Sequence, residues 1–339
     1  MLHQQSPPLG DRIRGSLFGL AIADALGAPV EFQKRGTFEP VVGYRHNETF
    51  DTPPGTWTDD TSMTLCLAQS LIDTSGTFTP QDAVRKYLRW YREGYLSSID
   101  ECFDIGMATR RAMEIWWRFF RVGGGFLGEG EMDVKGHEEG LEEIKKALGG
   151  KECCGNGSLM RASPIALLYF RSLPTACAHA ATSSTLTHPH PANTEACIVY
   201  TLLLIRALHG APKPEIASEL GAWKFQDKDL KERFEGCKTV EDWGRRSEEG
   251  IRSSGWVVDT LEAACWAFFS TDGFEEGALR VVNLGDDADT VGAVYGALGG
   301  AHYGVDAIPK EWMEGLAKRE VIEKIAEGVA ELAERERDA

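Results

Sequence analysis

Gly285-Asp-Asp-Ala-Asp-Thr290 runs straight into Val291-Gly-Ala-Val-Tyr-Gly-Ala-Leu-Gly-Gly-Ala301. The second half is small and apolar on nearly every face, which marks a buried helix. The first half sets three carboxylates and a hydroxyl at the start of that helix. The helix dipole offsets only a fraction of such charge. Without compensating positive charge, a triply acidic end on a buried helix costs too much.

Far upstream lies a stretch of the same kind, Gly55-Thr-Trp-Thr-Asp-Asp-Thr-Ser-Met63, which also opens an apolar helix. Helix capping accounts for one or two residues of Thr58-Asp59-Asp60-Thr61. It does not account for adjacent carboxylates, which repel unless cations are near. Only hard oxygen donors are present in either cluster. Such sets suit Mg²⁺, Mn²⁺ or Ca²⁺ rather than zinc, and EF-hand spacing is missing. The two clusters are therefore expected to meet in space and hold a pair of divalent cations.

The chain has 339 residues, long enough for one large core or two domains. A formal net charge of -16 argues against non-specific binding to nucleic acid or anionic membranes. No unbroken apolar run reaches the ~18 residues of a membrane span. Met1-Leu-His-Gln-Gln-Ser-Pro-Pro8 lacks a basic start and an apolar segment, so a signal peptide is not expected. Eight cysteines without a C-x-x-C pair read as free, mostly buried thiols in a reducing compartment, cytoplasmic or also nuclear. Adjacent Cys153 and Cys154 read as part of a flexible loop.

Residues 1–9 read as a disordered lead, 10–333 as one compact domain, and 334–339 as a frayed tail. Asp11 is placed to cap a first helix ending near Leu26, with a small-residue face of Gly15, Gly19 and Ala23. Asp24 falls near the end of that helix, where a carboxylate opposes the dipole and needs another reason to be there. Glu31 lies just beyond the stop at Gly27-Ala-Pro29. Residues 34–57 read as a long loop, which is uncommon and often functional. Helices are predicted over 59–73, 80–95, 103–120, 138–148, 158–171, 174–185, 192–209, 212–221, 228–234, 259–269, 274–283 and 288–303. Pro309 opens a final apolar stretch. The region 121–157 is Gly-rich and reads as a variable excursion. Alternating strand patterns are nearly absent, so the fold class is all-α.

Three further stretches stand out. Gly155-Asn-Gly-Ser-Leu-Met-Arg161 is either a simple turn with a Ser cap or a set of backbone N–H groups receiving an anion. Thr187-His-Pro-His-Pro191 is either a rigid loop with surface imidazoles or a loop lining a substrate. Cys102-Phe-Asp-Ile-Gly106 carries Asp104 in an apolar context, by default an ordinary cap or surface acid.

With these stretches aligned, the chain closely resembles the ADP-ribosylglycohydrolase family, which includes dinitrogenase reductase-activating glycohydrolase and the ADP-ribosylhydrolases. The matching stretches are Gly19-Leu-Ala-Ile-Ala-Asp-Ala-Leu-Gly-Ala-Pro-Val-Glu-Phe32, Trp57–Met63, Cys102–Gly106, Gly155–Arg161, Gly255-Trp-Val-Val-Asp-Thr-Leu-Glu-Ala-Ala264 and Asn283–Thr290. They run in order over about residues 11–304.

The resemblance implies a compact orthogonal helical domain with a binuclear Mg²⁺ or Mn²⁺ cleft. It implies Thr58, Asp59, Asp60, Asp287, Asp289 and Thr290 as metal ligands. Asp286 stands where the family often has Gly and is expected as a neighbour or surface residue. The resemblance implies proton-handling roles among Glu31, Asp59, Asp60 and Asp104. It also implies that Gly155, Asn156, Gly157 and Ser158 receive the ADP phosphates, with His188 on another cleft loop. Met107-Ala108 departs from the Asn or Thr more usual there, which weakens any transfer of linkage specificity.

The implied reaction is metal-dependent hydrolysis at the anomeric carbon of the distal ribose of an ADP-ribosyl conjugate, releasing ADP-ribose. The substrate is then an ADP-ribosylated protein, with no nucleic acid or membrane partner. One alternative is a small metabolite, O-acetyl-ADP-ribose or ADP-ribose 1″-phosphate. Another is a catalytically silent ADP-ribose-binding protein, against which the full set of matched acids argues.

Overall fold

The structure, a computed structural model, describes residues 7–122 and 134–335. Most of the lead and tail, and Gly123-Gly-Gly125, lie outside those residues. Sixteen α-helices and no strand are present among the described residues. They are α1 Leu9–Gly27, α2 Asp59–Asp73, α3 Pro80–Glu93, α4 Met107–Val122, α5 Val134–Leu148, α6 Ser163–Tyr169, α7 Leu173–Thr185 and α8 Pro191–Leu208. Then follow α9 Lys213–Ala222, α10 Lys228–Phe234, α11 Val240–Gly244, α12 Val257–Ser270, α13 Phe274–Val282, α14 Ala288–Tyr303, α15 Lys310–Gly315 and α16 Arg319–Arg335. The all-α expectation holds, and one hydrophobic core runs through the chain.

The centre of the fold is the pair α1 and α14. A Cβ added at Gly19 would lie 2.3 Å from the Gly296 carbonyl oxygen, and one at Gly296 would lie 2.1 Å from the Gly19 oxygen. Gly15 and Gly300 face each other in the same way. The two backbones touch, which only glycine permits. The pairing is antiparallel, so the end of α1 lies beside the start of α14. That contact carries Asp24 to the acidic stretch at 286–290.

Several boundaries differ from the predicted ones for local reasons. α1 begins at Leu9, with Pro8 at its N-cap, so Asp11 sits in the first turn rather than capping it. α4 begins at Met107 rather than 103, because Asp104 adopts a left-handed φ of 56° that no helix interior accepts. α6 begins at Ser163, with Pro164 in its first turn, rather than at 158. The short α11, closed by a Thr239/Asp242 capping box, escaped prediction. The stretch after Pro309 splits into two helices at Lys318, whose φ is 45°.

Leu9–Val30 is long and apolar enough on average to cross a membrane, although no unbroken apolar run exists there. Of its most apolar window 94% is buried, so this apolarity serves the protein core. All eight cysteines are free, with Cys66, Cys154, Cys197, Cys237 and Cys265 buried. Cys153 ends a 3₁₀ turn, and the Cys154 carbonyl accepts the Val257 N–H at 3.0 Å, so this pair is held in place.

Candidate metal centre and cleft

The N-terminus of α2 is organised by a carboxylate from another helix. Thr58 occupies the N-cap position, yet its side chain makes no capping bond. Its hydroxyl instead donates to Asp24 Oδ1 at 2.9 Å, and its N–H reaches the same carboxylate at 3.0 Å. Thr61 adds its N–H at 3.1 Å and its hydroxyl at 2.5 Å. Four donors thus converge on one buried carboxylate, which resolves the oddity of an acid at the end of α1. Burial pushes Asp24 up to about 7, against the downward pull of these bonds.

The two acidic stretches meet. Thr58 Oγ1 lies 3.2 Å from Asp60 Oδ2 and 3.4 Å from Asp289 Oδ2, and Thr290 Oγ1 lies 3.3 Å from Asp60 Oδ2. Carboxylate oxygens of Asp24, Asp60 and Asp289 lie within 4.8 Å of one another, and so do those of Glu31, Asp287 and Asp289. Asp289 belongs to both groups. Asp59 is buried beside them and faces the cleft. Asp286 differs: it is exposed at the mouth, with a left-handed φ of 55°.

Glu31 is delivered by the turn after α1. Phe32 N donates to the Asp286 carbonyl at 2.6 Å, and Asp286 N donates to the Gln33 carbonyl at 2.7 Å. This pairing ties the Glu31 turn to the acidic loop before α14. Asp104 comes from the loop before α4, and its side chain contacts that of Glu31. Burial and then repulsion from Asp104 push Glu31 up to about 12, while burial pushes Asp104 to about 6. Asp59, Asp60 and Asp289 are also raised, again chiefly by burial.

So many carboxylates in one place require positive charge. Glu31 Oε2, Asp60 Oδ1, Asp104 Oδ2 and Asp289 Oδ1 are buried and have no hydrogen-bond partner among the described residues. Unpartnered hard oxygens in two groups with one shared member fit hard divalent cations. No protein cation serves instead, because no Lys or Arg lines the cleft among the described residues.

The cleft has a volume of about 970 Å³. The turn at 155–158 also lines it. Asn156 Nδ2 donates to Asp287 Oδ2 at 2.7 Å, and Asn156 N donates to the Gly255 carbonyl at 3.0 Å. The N–H groups of Gly157 and Ser158 have no partner among the described residues. Ser158 contributes backbone only, since its hydroxyl lies 2.9 Å from Ser184 Oγ in the interior. His188 is buried and lines the cleft, whereas His190 Nδ1 accepts the Ala192 N–H at the start of α8. The two histidines thus have separate tasks. Phe32 and Met107 stand exposed on the rim.

Asp24 was flagged in the sequence as an anomaly but not assigned to the centre, and the signal was its place at a helix C-terminus. Ser254 and Gly255 also line the cleft; Gly255 opens one of the stretches matched to the family, but nothing in the local chemistry marks either residue as part of a site. Their loop is held by Ser254 Oγ donating to Asp259 at 2.6 Å, and Asp259 is paired with Arg233 at 2.7 Å.

A helical domain with a shared carboxylate centre beside a turn that leaves two backbone N–H groups unpartnered among the described residues defines the class. Residues 5–339 match the ADP-ribosylglycohydrolase family model, and the chain belongs to that family. Among particular relatives, it is 37% identical to an ADP-ribosylarginine hydrolase Tri1 of Pseudomonas putida, over 94% of this chain and 77% of that one. It is 29% identical to the ADP-ribosyl-[dinitrogen reductase] glycohydrolase of Rhodospirillum rubrum, over 91% of this chain and 92% of that one. A solved structure titled as an ADP-ribosylglycohydrolase-related protein complex superposes with a TM-score of 0.76 at 37% identity, covering 96% of this chain and 99% of that one.

Proposed function

We propose that this protein hydrolyses the bond at the anomeric carbon of the distal ribose in an ADP-ribosyl conjugate and releases ADP-ribose. The observation that carries this reading is the pair of carboxylate groups sharing Asp289 at the foot of the cleft. Thr58, Asp59, Asp60, Asp287, Asp289 and Thr290, joined by Asp24 and Glu31 from the two carboxylate groups, would hold two cations, Mg²⁺ or Mn²⁺. Such cations supply Lewis acidity to sugar hydroxyls and to an attacking water.

The remaining work falls to the chain itself. The free N–H groups of Gly157 and Ser158 and the ring of His188 would receive the diphosphate. That fixes the distal ribose over the carboxylates and orients its anomeric carbon. Hydrolysis needs a proton delivered to the leaving group and one removed from water. Asp104 and Glu31 touch each other in the cleft lining, with Asp59 among the same lining residues, and these carboxyls would carry those protons.

The leaving group we favour is the guanidine of an arginine. The relative named above acts on ADP-ribosylarginine by its title, and a cleft rich in carboxylates, with no Lys or Arg among its described lining residues, suits a cationic group.

The test is product release from arginine-linked and serine-linked ADP-ribosyl peptides, O-acetyl-ADP-ribose and ADP-ribose 1″-phosphate. Each is run with Mg²⁺, with Mn²⁺ and with EDTA. ADP-ribose from the arginine-linked peptide, abolished by EDTA, is the expected result. No release from any substrate overturns the hydrolase reading.

A further inference from the structure

Arg161 is wholly buried, with four acceptors around its guanidinium: Tyr87 OH at 3.1 Å, the Gly157 carbonyl, the Ser183 carbonyl at 3.2 Å and Thr187 Oγ1 at 2.8 Å. A guanidinium stays charged and has no lone pair to offer, so Thr187 Oγ1 accepts from it. The Thr187 hydroxyl owns one hydrogen. Its only other partner among the described residues is His188 Nδ1, at 2.8 Å. Were Nδ1–H to donate to the second lone pair of Oγ1, that buried hydroxyl hydrogen would have no acceptor among the described residues; full pairing points it at Nδ1 and makes Nδ1 the bare nitrogen of the ring.

Burial, and then the charge of Arg161, pushes the His188 pKa down to about 3, so the imidazole is neutral at ordinary pH. With Nδ1 bare, the ring proton sits on Nε2. That atom has no partner among the described residues, and the ring lines the cleft. A Cβ on Gly157 would lie 2.8 Å from His188 Cε1 and 3.3 Å from Nε2, so the ring lies flush against the turn at 155–158. The same arginine holds the Gly157 carbonyl, fixing turn and ring relative to each other.

We propose that Arg161 and Thr187 are positioning residues that lock His188 as its Nε2–H tautomer, so that it stands beside the Gly157 and Ser158 N–H groups as a third neutral donor to an anionic ligand oxygen. The opposite tautomer would turn a lone pair toward that oxygen. The lock also removes His188 from proton transfer, since its only lone pair is occupied by Thr187. The ligand part of this inference rests on the reading of the cleft as a diphosphate site, whereas the tautomer does not.

Long-range ¹H–¹⁵N spectra of the labelled full chain in Mg²⁺ test the lock, with the His188 signals assigned by their loss in His188→Gln. The expected wild-type result is a bare Nδ1 and a protonated Nε2, unchanged between pH 5 and 8. Thr187→Val removes the hydroxyl at nearly constant shape. It should yield a tautomer mixture and weaken ADP-ribose binding by calorimetry roughly tenfold, about one neutral hydrogen bond. Thr187→Ser should restore both.

A protonated Nδ1 in the wild type overturns the proposal, even if Thr187→Val fails to fold. A Thr187→Val protein that keeps the wild-type tautomer overturns the role of Thr187. A changed tautomer with unaltered ADP-ribose affinity overturns the donor role. A wild-type protein with bare Nδ1 that binds no ADP-ribose would sink the functional reading of the cleft and leave the lock standing.

Discussion

Asp24 at the end of α1 accepts both the N–H of Thr58, at 3.0 Å, and its hydroxyl, at 2.9 Å, so a carboxylate of one helix caps the next. The same Asp24 offers an oxygen to the group it forms with Asp60 and Asp289. Folding and the candidate centre therefore depend on one side chain.

Removing it should be costly in both respects. Asp24→Ala leaves four buried donors of Thr58 and Thr61 without their acceptor and should destabilise the protein by about 3 kcal/mol. Asp104→Ala, at a half-buried acid pressed against Glu31, should cost less than about 1 kcal/mol. Urea midpoints of the two variants test this, and equal losses would contradict the capping role.

The shared carboxylate and its neighbours should separate ligands from bystanders. Asp287→Ala and Asp289→Ala should each lower Mn²⁺-dependent turnover at least about a hundredfold and abolish the rise in Tm on adding Mn²⁺. Asp286→Ala, at the exposed mouth, should keep that rise. Full turnover in Asp287→Ala would end the two-cation proposal.

Stability of the EDTA-treated protein should fall as pH rises. Asp24 and Asp104 titrate near 7 and 6 in the folded chain, above the roughly 4 of an unfolded carboxyl. Between those values the folded state binds more protons than the unfolded one. Stability is therefore greatest below about pH 4 for these groups and is lost through pH 6 to 7. Excess Mn²⁺ should raise Tm by more at pH 7.5 than at pH 5, because cations replace the protons. Thermal melts across that range, with and without Mn²⁺, provide the check. A metal-dependent rise in Tm that is larger at pH 5 would contradict it.

The α1–α14 contact predicts an inverted glycine effect. Gly→Ala inside an exposed helix usually stabilises it by up to ~1 kcal/mol. Gly296→Ala would set a methyl 2.1 Å from the Gly19 carbonyl oxygen and should cost about 3 kcal/mol or more. Denaturant melts decide the sign. Soluble expression together with loss of Mn²⁺ binding would show that the helix pair also sets the alignment of Asp24 with Asp289.

Much of this was legible along the chain because it is written in local chemistry. Helices α2, α10 and α14 end where their periodicity and caps say, and the two acidic helix starts announced a centre without any contact being known. The starts of α4 and α6 were misread because a left-handed Asp104 and the non-helical turn at 155–162 are set by partners distant in the sequence. Arg161, for one, reaches from the Gly157 carbonyl to Ser183 and Thr187.

By itself, then, the sequence determined the helices, the buried character of α14 and the excess of unbalanced carboxylates, since propensity, polarity and charge belong to residues. Only the tertiary structure decided which atoms face each other: that Asp24 joins the acidic groups, that Asp286 does not, that Ser158 turns its hydroxyl inward, and that the Thr187 hydroxyl meets Nδ1 of His188. Those are matters of direction and distance: the close approach of two glycine-lined helices sets the first, and the buried Arg161, Thr187 and Ser184 set the last two.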